Sequence, residues 1–452
     1  MDASVSADIA QSMAAFETTA RAIADADNVH AATSDDRVTN AQPQLVAAPG
    51  NEQELARILK TANDAGLAVI PRGGGTKLAW GNPPQRADVV LSTARLNAIV
   101  EHAHSDLTVT VEAGCTLQQL AETLAKENQR LAIDGLWPSR ATIGGILSTN
   151  DSGALRLGFG SLRDLVIGIT LALPDGTLAK SGGKVVKNVA GYDLPKLITG
   201  ALGTLGIITQ ATFRLHPMPK EARTVSCLAR DSREAQRFIL AIQDSKLAHS
   251  ALQIRFVESM QPQVDVLFEA TEVGCAAQAE QLKRLLGSAA VIDSGPAVWK
   301  ARQELYSEAS ANLAEMGRSN AAPLHEPAGE ASLARRALAK ISVLPTQIAE
   351  AYETLAKLAT ANDMRFSAVF YAIGIGTIYL SAAPNDLTAT LQNFRGKVET
   401  LGGSLAIAHR PDAMPLIDAW GNAGDALELM RAVKKQFDPK STLNPGRFVG
   451  GI

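Results

Sequence analysis

The sequence predicts an α+β protein of more than one domain, and three observations lead there. The 452 residues are too many for one hydrophobic core. Residues 42–217 alternate strand-like apolar runs with glycine-rich connections, and residues 218–410 alternate strands and helices in the order of an antiparallel sheet covered on one face.

Residues 1–41 are rich in alanine and aspartate with weak helical periodicity, which reads as a peripheral helix followed by a polar connector. A short apolar run after Gln44 leads to Asn51 as helix N-cap, with Glu52 and Glu54 in the first turn and a helix closing near Gly66. A strand over 67–70 then enters a glycine cluster. ADVVLS, TVTVEAG, VIGITLALPDG and GIITQATFRL follow as strands, with a helix over 117–127. Pro217 and Pro219 interrupt any continuing element and set a boundary near residue 217. Beyond it TVSCLA, a helix over 232–244 and ALQIRFV give β-α-β. ALAKISVLP, FSAVFYAIG, GTIYLSA and GSLAIAHR, with helices after Gln347 and Asn385, give a ferredoxin-like β-α-β-β-α-β. The stretch from Ser288 to Glu330 reads as more helical, and no repeat of fixed period stands out. Residues 411–452 form an amphipathic helix and a tail punctuated by proline and glycine.

Composition narrows the function. A net charge of -3, 46% hydrophobic and 20% charged residues argue against disorder and against general attraction to nucleic acid. Cys115, Cys227 and Cys275 are odd in number and far apart, so neither a disulfide framework nor a zinc or iron-sulfur site is expected; they read as buried thiols of a reducing cytoplasm. No signal peptide or apolar membrane span is seen, so a cytoplasmic protein is expected.

Three segments carry chemistry. Pro71, Arg72, Gly73, Gly74, Gly75, Thr76 and Lys77 follow a strand directly. Consecutive glycines permit positive φ and let successive N–H groups turn around phosphate oxygens, with Arg72 and Lys77 supplying charge nearby; a flexible turn would use the same residues. The run from Trp137 to Gly153 places Pro138, Ser139, Thr142, Gly144, Gly145, Thr149, Ser152 and Gly153 together. Its short hydroxyls beside glycines suit a phosphate, ribose or flavin edge, and equally suit helix caps. The third, from Gly182 through Tyr192 and Asp193 to Gly203, Gly206, Ile207 and Ile208, leads small residues into a β-branched strand whose backbone can read an adenine edge. Close helix packing would also use those glycines.

In order and spacing these segments resemble the PCMH-type FAD-binding domain of the vanillyl-alcohol-oxidase and p-cresol-methylhydroxylase superfamily. In that family PRGGGT, TIGG…TNDSG and GTLGIIT bind pyrophosphate, flavin and adenosine in turn. The resemblance covers residues 42–217, and FDPKSTLNPGRF resembles the tail by which members end beside the flavin. GGKVVKNVAGYDLPKLITGALGTLGIIT looks most like the FAD-binding subunit of glycolate oxidase. The resemblance implies FAD held noncovalently, since Thr76 stands where covalently linked members have histidine. It also implies a missing polar contact, since Leu202 stands where many members have glutamate. No HAGDGNLH-type motif is found in the second domain, which puts independent oxidation of a hydroxy acid in doubt.

Oxidising a 2-hydroxy acid requires a base for the hydroxyl proton and a cation for the carboxylate. His409 and Arg410 are the adjacent His-Arg pair of the second half, and a solvated pair at a sheet edge is the plainer reading. Arg255 and Arg447 read as salt-bridged structural arginines. Tyr192 and Asp193 read as residues that orient a flavin-side loop.

The resemblance implies electron transfer within a glycolate oxidase-like complex, with a catalytic flavoprotein subunit, an iron-sulfur subunit and a small 2-hydroxy acid such as glycolate. It implies peripheral membrane association through those partners only. The alternatives are a self-sufficient FAD-dependent oxidoreductase and a non-catalytic assembly subunit.

Overall fold

The computed structural model describes residues 3–183, 192–258, 260–287, 291–306 and 335–452. The parts of the GGKVVKNVAGYDL run and of the 288–330 linker that fall in the gaps lie outside the described residues. The chain divides into two compact units. One comprises Met1–Ser152, Ser161–Met218 and Ala423–Ile452, and the other Gly153–Gly160 and Pro219–Asn422.

The first unit contains β1 (Val29–Ala31), β2 (Leu45–Ala47), β3 (Val69–Arg72), β4 (Val89–Ser92), β5 (Ile99–Ala103), β6 (Thr108–Glu112), β7 (Gln129–Arg130), β8 (Val166–Ala172), β9 (Leu178–Gly182), β10 (Ile207–Arg214) and β11 (His216–Pro217). One sheet runs β1-β2-β4-β3, with β4 parallel to both β2 and β3. A second, antiparallel, runs β5-β6-β10-β8-β9, and β7 pairs with β11. Parallel pairing of β3 with β4 lets the chain leave β3 at the sheet's carboxyl end, where a ligand loop is well placed.

Helix α1 (Ala3–Ala24) is not peripheral. Met13, Phe16, Ala20 and Ala24 recur at helical spacing and are buried in one core with Leu55, Ile58 and Leu59 of α2 (Glu52–Asp64). The expected connector also supplies β1, which pairs with β2. Asn51 caps α2 through Glu54 N at 2.9 Å, while Glu54 Oε2 accepts from Gly50 N at 2.7 Å.

The second unit contains β12 (Glu221–Leu228), β13 (His249–Val257), β14 (Gln263–Ala270), β15 (Val291–Ser294), β16 (Arg336–Ser342), β17 (Arg365–Tyr371), β18 (Ile375–Ser381) and β19 (Ser404–His409). They form one antiparallel sheet in the order β15-β12-β14-β13-β17-β18-β16-β19. The first four strands, with helices Ser232–Gln243 and Glu272–Leu286, are themselves β-α-β-β-α-β. The last four, with helices Ile348–Ala361 and Pro384–Thr400, repeat that topology, and the halves join at β13-β17. The ferredoxin-like motif is therefore doubled. The four helices cover one sheet face, where Ile239, Leu282, Leu355 and Phe394 share a core with Ile254, Phe268, Phe370 and Ile378. All three cysteines are buried, and burial raises the thiols of Cys115 and Cys227 to about 11 and about 12. No helix among the described residues is long and apolar enough to cross a membrane.

Candidate functional site

The first unit holds a cleft with about 690 Å³ of empty space continuous with solvent. Four stretches wall it: the loop after β3, the start of α4 (Ile143–Thr149), which follows α3 (Leu117–Ala125) in the chain, the entry to β10, and the C-terminal tail. Of the residues singled out from the sequence, Pro71, Arg72, Gly73, Gly74, Gly75, Thr76, Lys77, Thr142, Gly144, Gly145, Thr149, Gly203, Gly206, Ile207 and Ile208 line it. Pro138, Ser139, Ser152 and Gly153 do not. Pro138 and Ser139 are exposed in the turn before α4, and Gly153 falls in the other compact unit. Leu78, Thr93, Ser148, Leu202, Asn444 and Arg447 complete the wall.

The glycine loop is held by close packing as well as by φ. A Cβ on Gly73 would lie 2.0 Å from Thr142 Oγ1, and one on Gly74 would lie 1.7 Å from the Arg140 carbonyl oxygen. The positive φ expected of the loop falls on Gly75, at +70°, and not on Gly74. The N–H groups of Gly73, Gly74, Gly75 and Thr76 reach no acceptor among the described residues. Adjacent amide donors at the mouth of a cleft are an anion cradle, so these residues fit the pyrophosphate of a dinucleotide. Arg72 and Lys77, expected to add positive charge, each face an acid. Arg72 Nη1 lies 2.6 Å from Asp36 Oδ1, and Lys77 Nζ 3.0 Å from Asp151 Oδ2. Burial pushes the Asp36 carboxyl up, but the Thr33 amide and the Arg72 guanidinium outweigh it and hold the group below its usual range. The donors left to an anion are chiefly backbone.

Lys77 and Asp151 are both buried. The ammonium lies 5.8 Å from the ring centre of Trp80 and 5.6 Å from that of Trp137, while Asp151 Oδ2 also accepts from Leu136 N at 2.9 Å. This pair ties the glycine loop to the segment just after α4 and, through Asp151, to Leu136 ahead of that helix. The hydroxyls serve partly as caps: Thr142 Oγ1 accepts from Gly145 N at 3.4 Å and Thr149 Oγ1 donates to Gly145 O at 2.7 Å.

The β10 entry is moored to α4 by Gly200 N to Leu147 O at 2.9 Å and Leu202 N to Ser148 O at 2.8 Å. Leu202, without a glutamate's polar reach, has a left-handed φ of +53° and Gly203 one of +67°. The tail enters as a bridge beside β3, with Val69 N donating to Thr442 O at 2.7 Å and Asn444 N to Val69 O at 3.0 Å. Arg447, fully buried, donates to Leu78 O at 2.5 Å and Trp80 O at 2.8 Å, and burial lowers its pKa to about 10. Its Nη1 also donates to Asn444 Oδ1 at 3.4 Å.

In the second unit, His409 ends the edge strand β19, as expected, but is not solvated. Nε2 is buried with no hydrogen-bond partner among the described residues. Burial lowers its pKa, Asp412 pulls the other way, and Arg336 and Arg410 reinforce burial, which favours neutral imidazole. Arg410 Nη1 donates to Ile417 O at 2.9 Å. Arg255 pairs with Asp265 through two hydrogen bonds of 2.6 and 2.9 Å. Asp193 caps helix Leu194–Ile198 through Lys196 N, while Tyr192 is 90% exposed and presents no wall to the cleft. No cluster of metal-ligating side chains occurs among the described residues.

Comparison with known proteins places this geometry. Residues 43–182 match the FAD binding domain, and residues 419–448 match the FAD linked oxidases, C-terminal domain. Glycolate oxidase subunit GlcD of Bacillus subtilis is 28% identical, over 90% of this chain and 89% of its own. D-lactate dehydrogenase of Archaeoglobus fulgidus is 27% identical, over 90% and 91%. D-2-hydroxyglutarate dehydrogenase of Xanthomonas citri is 25% identical, over 90% and 89%. Among solved structures, p-cresol methylhydroxylase with substrate bound superposes with a TM-score of 0.74 at 16% identity, covering 97% of this chain and 96% of that one. The fold is that of the PCMH-type flavoproteins, and the cofactor is FAD.

Proposed function

From the chain's membership of the FAD-linked oxidoreductases with a PCMH-type flavin domain, we infer that it transfers electrons in the oxidation of a small 2-hydroxy acid such as glycolate, as the FAD-binding subunit of a glycolate oxidase-like complex. The observation that carries this reading is the row of uncommitted amides at Gly73–Thr76 facing a cleft that Gly203, Gly206 and the C-terminal tail also line.

When bound, FAD supplies a two-electron acceptor that neither the buried thiols nor any other side chain here provides. The chain's own work is to hold it. The 73–76 amides take the pyrophosphate. Thr142, Gly144, Gly145, Ser148 and Thr149 offer small surfaces on which a flat ring can rest, and Ile207 and Ile208 lead the adenosine side into β10. With Thr76 in the loop, no histidine side chain is offered there for covalent attachment, so FAD is held by contacts alone.

Conversion of a 2-hydroxy acid to a 2-oxo acid releases two electrons and two protons, so a base is also required. Without a HAGDGNLH-type motif, that base comes from the catalytic flavoprotein partner, and an iron-sulfur partner carries electrons onward, since this chain has no cysteine cluster. Contact with a membrane surface follows through those partners.

A second reading has specific support. Relatives that align over nine-tenths of this chain are named D-lactate and D-2-hydroxyglutarate dehydrogenase, and a neutral, buried His409 is competent to accept a proton. The purified chain, mixed with glycolate or D-lactate and an artificial electron acceptor, is expected to turn over at least about 100-fold more slowly than the assembled complex, the lower range for loss of acid-base catalysis. Comparable turnover by the chain alone, abolished by His409→Ala with flavin retained and lost as pH falls through the lowered histidine pKa, would instead establish the self-sufficient enzyme.

A further inference from the structure

The helix Leu427–Phe437 has one fully buried residue, and it is charged: Lys434, 6% exposed. Its ammonium has three donors and three acceptors, Asp438 Oδ2 at 2.6 Å, Thr204 O at 2.8 Å and Leu443 O at 2.9 Å. Asp438, 1% exposed, accepts in turn from Thr442 N at 2.9 Å and Leu443 N at 2.7 Å. Helix, tail and the β10 entry therefore meet at one nitrogen. Asn444, which lines the cleft with Arg447, makes the neighbouring contact. Its Nδ2 donates to Leu202 O at 2.6 Å.

These bonds fall on the stretch least able to fix itself. Leu202 and Gly203 both have left-handed φ, and Gly203 has no side chain to anchor it. The carbonyls of Leu202 and Thr204 are held by side chains of the tail, on either side of Gly203, which lines the cleft. Stability alone is a poor reason for a buried ion pair, because an apolar substitute of similar volume is commonly as stable or more so. What an apolar side chain cannot supply is directed bonds to two backbone carbonyls, Thr204 O at the β10 entry and Leu443 O in the tail.

We propose that Lys434 is a positioning residue for the cofactor, which together with Asn444 holds the 202–206 segment in its binding geometry, so that the C-terminal tail sets FAD affinity without Lys434 touching FAD. This rests on the flavin reading above. The test compares wild type, Lys434→Met and Asn444→Gly, each stripped of flavin, by FAD titration and by melting with and without FAD. Lys434→Met keeps the chain length and removes the charge. Asn444→Gly keeps a residue suited to the φ of +45° at this position and removes only the amide side chain.

Lys434→Met is expected to weaken FAD binding roughly tenfold, equivalent to about 1.4 kcal/mol, and to shrink the rise in melting temperature that FAD produces, beyond any fall in the apoprotein's own melting temperature. Asn444→Gly is expected to act in the same direction. A merely structural ion pair would lower the apoprotein and the FAD-bound protein equally, and an unchanged FAD-induced rise in both variants would overturn the proposal. If Lys434→Met does not fold, Lys434→Gln takes its place, since Asn444 itself lines the cleft: weakened binding supports the proposal and wild-type binding overturns it. Failure of the wild-type chain to take up FAD would overturn the flavin reading itself, and this proposal with it.

Discussion

Gly74 and Gly75 are adjacent in the cradle yet are glycine for different reasons. At Gly74 the obstacle is space, since a Cβ would lie 1.7 Å from the Arg140 carbonyl; at Gly75 it is the φ of +70°, with the nearest atoms to a Cβ no closer than 3.8 Å. Gly74→Val must therefore part the loop from residues 140–142, whereas Gly75→Ala pays about 1–2 kcal/mol for a left-handed conformation. FAD titration is expected to show near-complete loss for Gly74→Val and a modest loss for Gly75→Ala, with circular dichroism close to wild type for both. Equal FAD affinities in the two variants would contradict this division. The glycine loop was legible in the sequence because its chemistry is local. Asn444 and Arg447 reach the cleft from a tail more than 350 residues beyond Gly75, and they were legible only through the resemblance of FDPKSTLNPGRF to a tail that ends beside the flavin, not through any chemistry of their own.

The doubled β-α-β-β-α-β of the second unit was half legible. Its second copy reads directly from alternating apolar strands, while the first was read only as β-α-β, without β14, the helix Glu272–Leu286 and β15. Within β14, Asp265 breaks the apolar pattern, yet it is fully buried and accepts from Ser226 Oγ at 2.6 Å, Gln253 Nε2 at 2.8 Å and twice from Arg255. Gln253 lies opposite Asp265 in the ladder and Arg255 diagonally from it. Cross-strand partners of this kind are invisible until the register is known. Arg255→Leu would leave the carboxylate buried without its cation. It is expected to destabilise this sheet by about 3 kcal/mol, the lower range for breaking a buried pair, seen as an earlier urea unfolding transition. A midpoint within error of wild type would show that Ser226 and Gln253 suffice.

At the scale of the whole molecule, composition, motif order and the resemblance of the tail pointed to two α+β parts, a flavin domain and a chain end that returns to it, but not to the part played by residues 1–41. Residues 1–41 contribute a core helix and a strand to the first unit, and residues 423–452 return to it after the second unit has been built. The N-terminal contribution depends on packing that no local pattern encodes, whereas the return of the tail was carried by the resemblance of FDPKSTLNPGRF. The cleft proposed to hold FAD is consequently assembled from the early loops and the end of the chain, with backbone amides and small residues proposed in place of a covalent anchor. The direct measurement of this account is the flavin content of the purified wild-type protein after acid precipitation. A yellow supernatant containing FAD, close to one per chain, is the predicted result; a colourless protein that takes up no added FAD, or flavin that stays with the pellet, would contradict it.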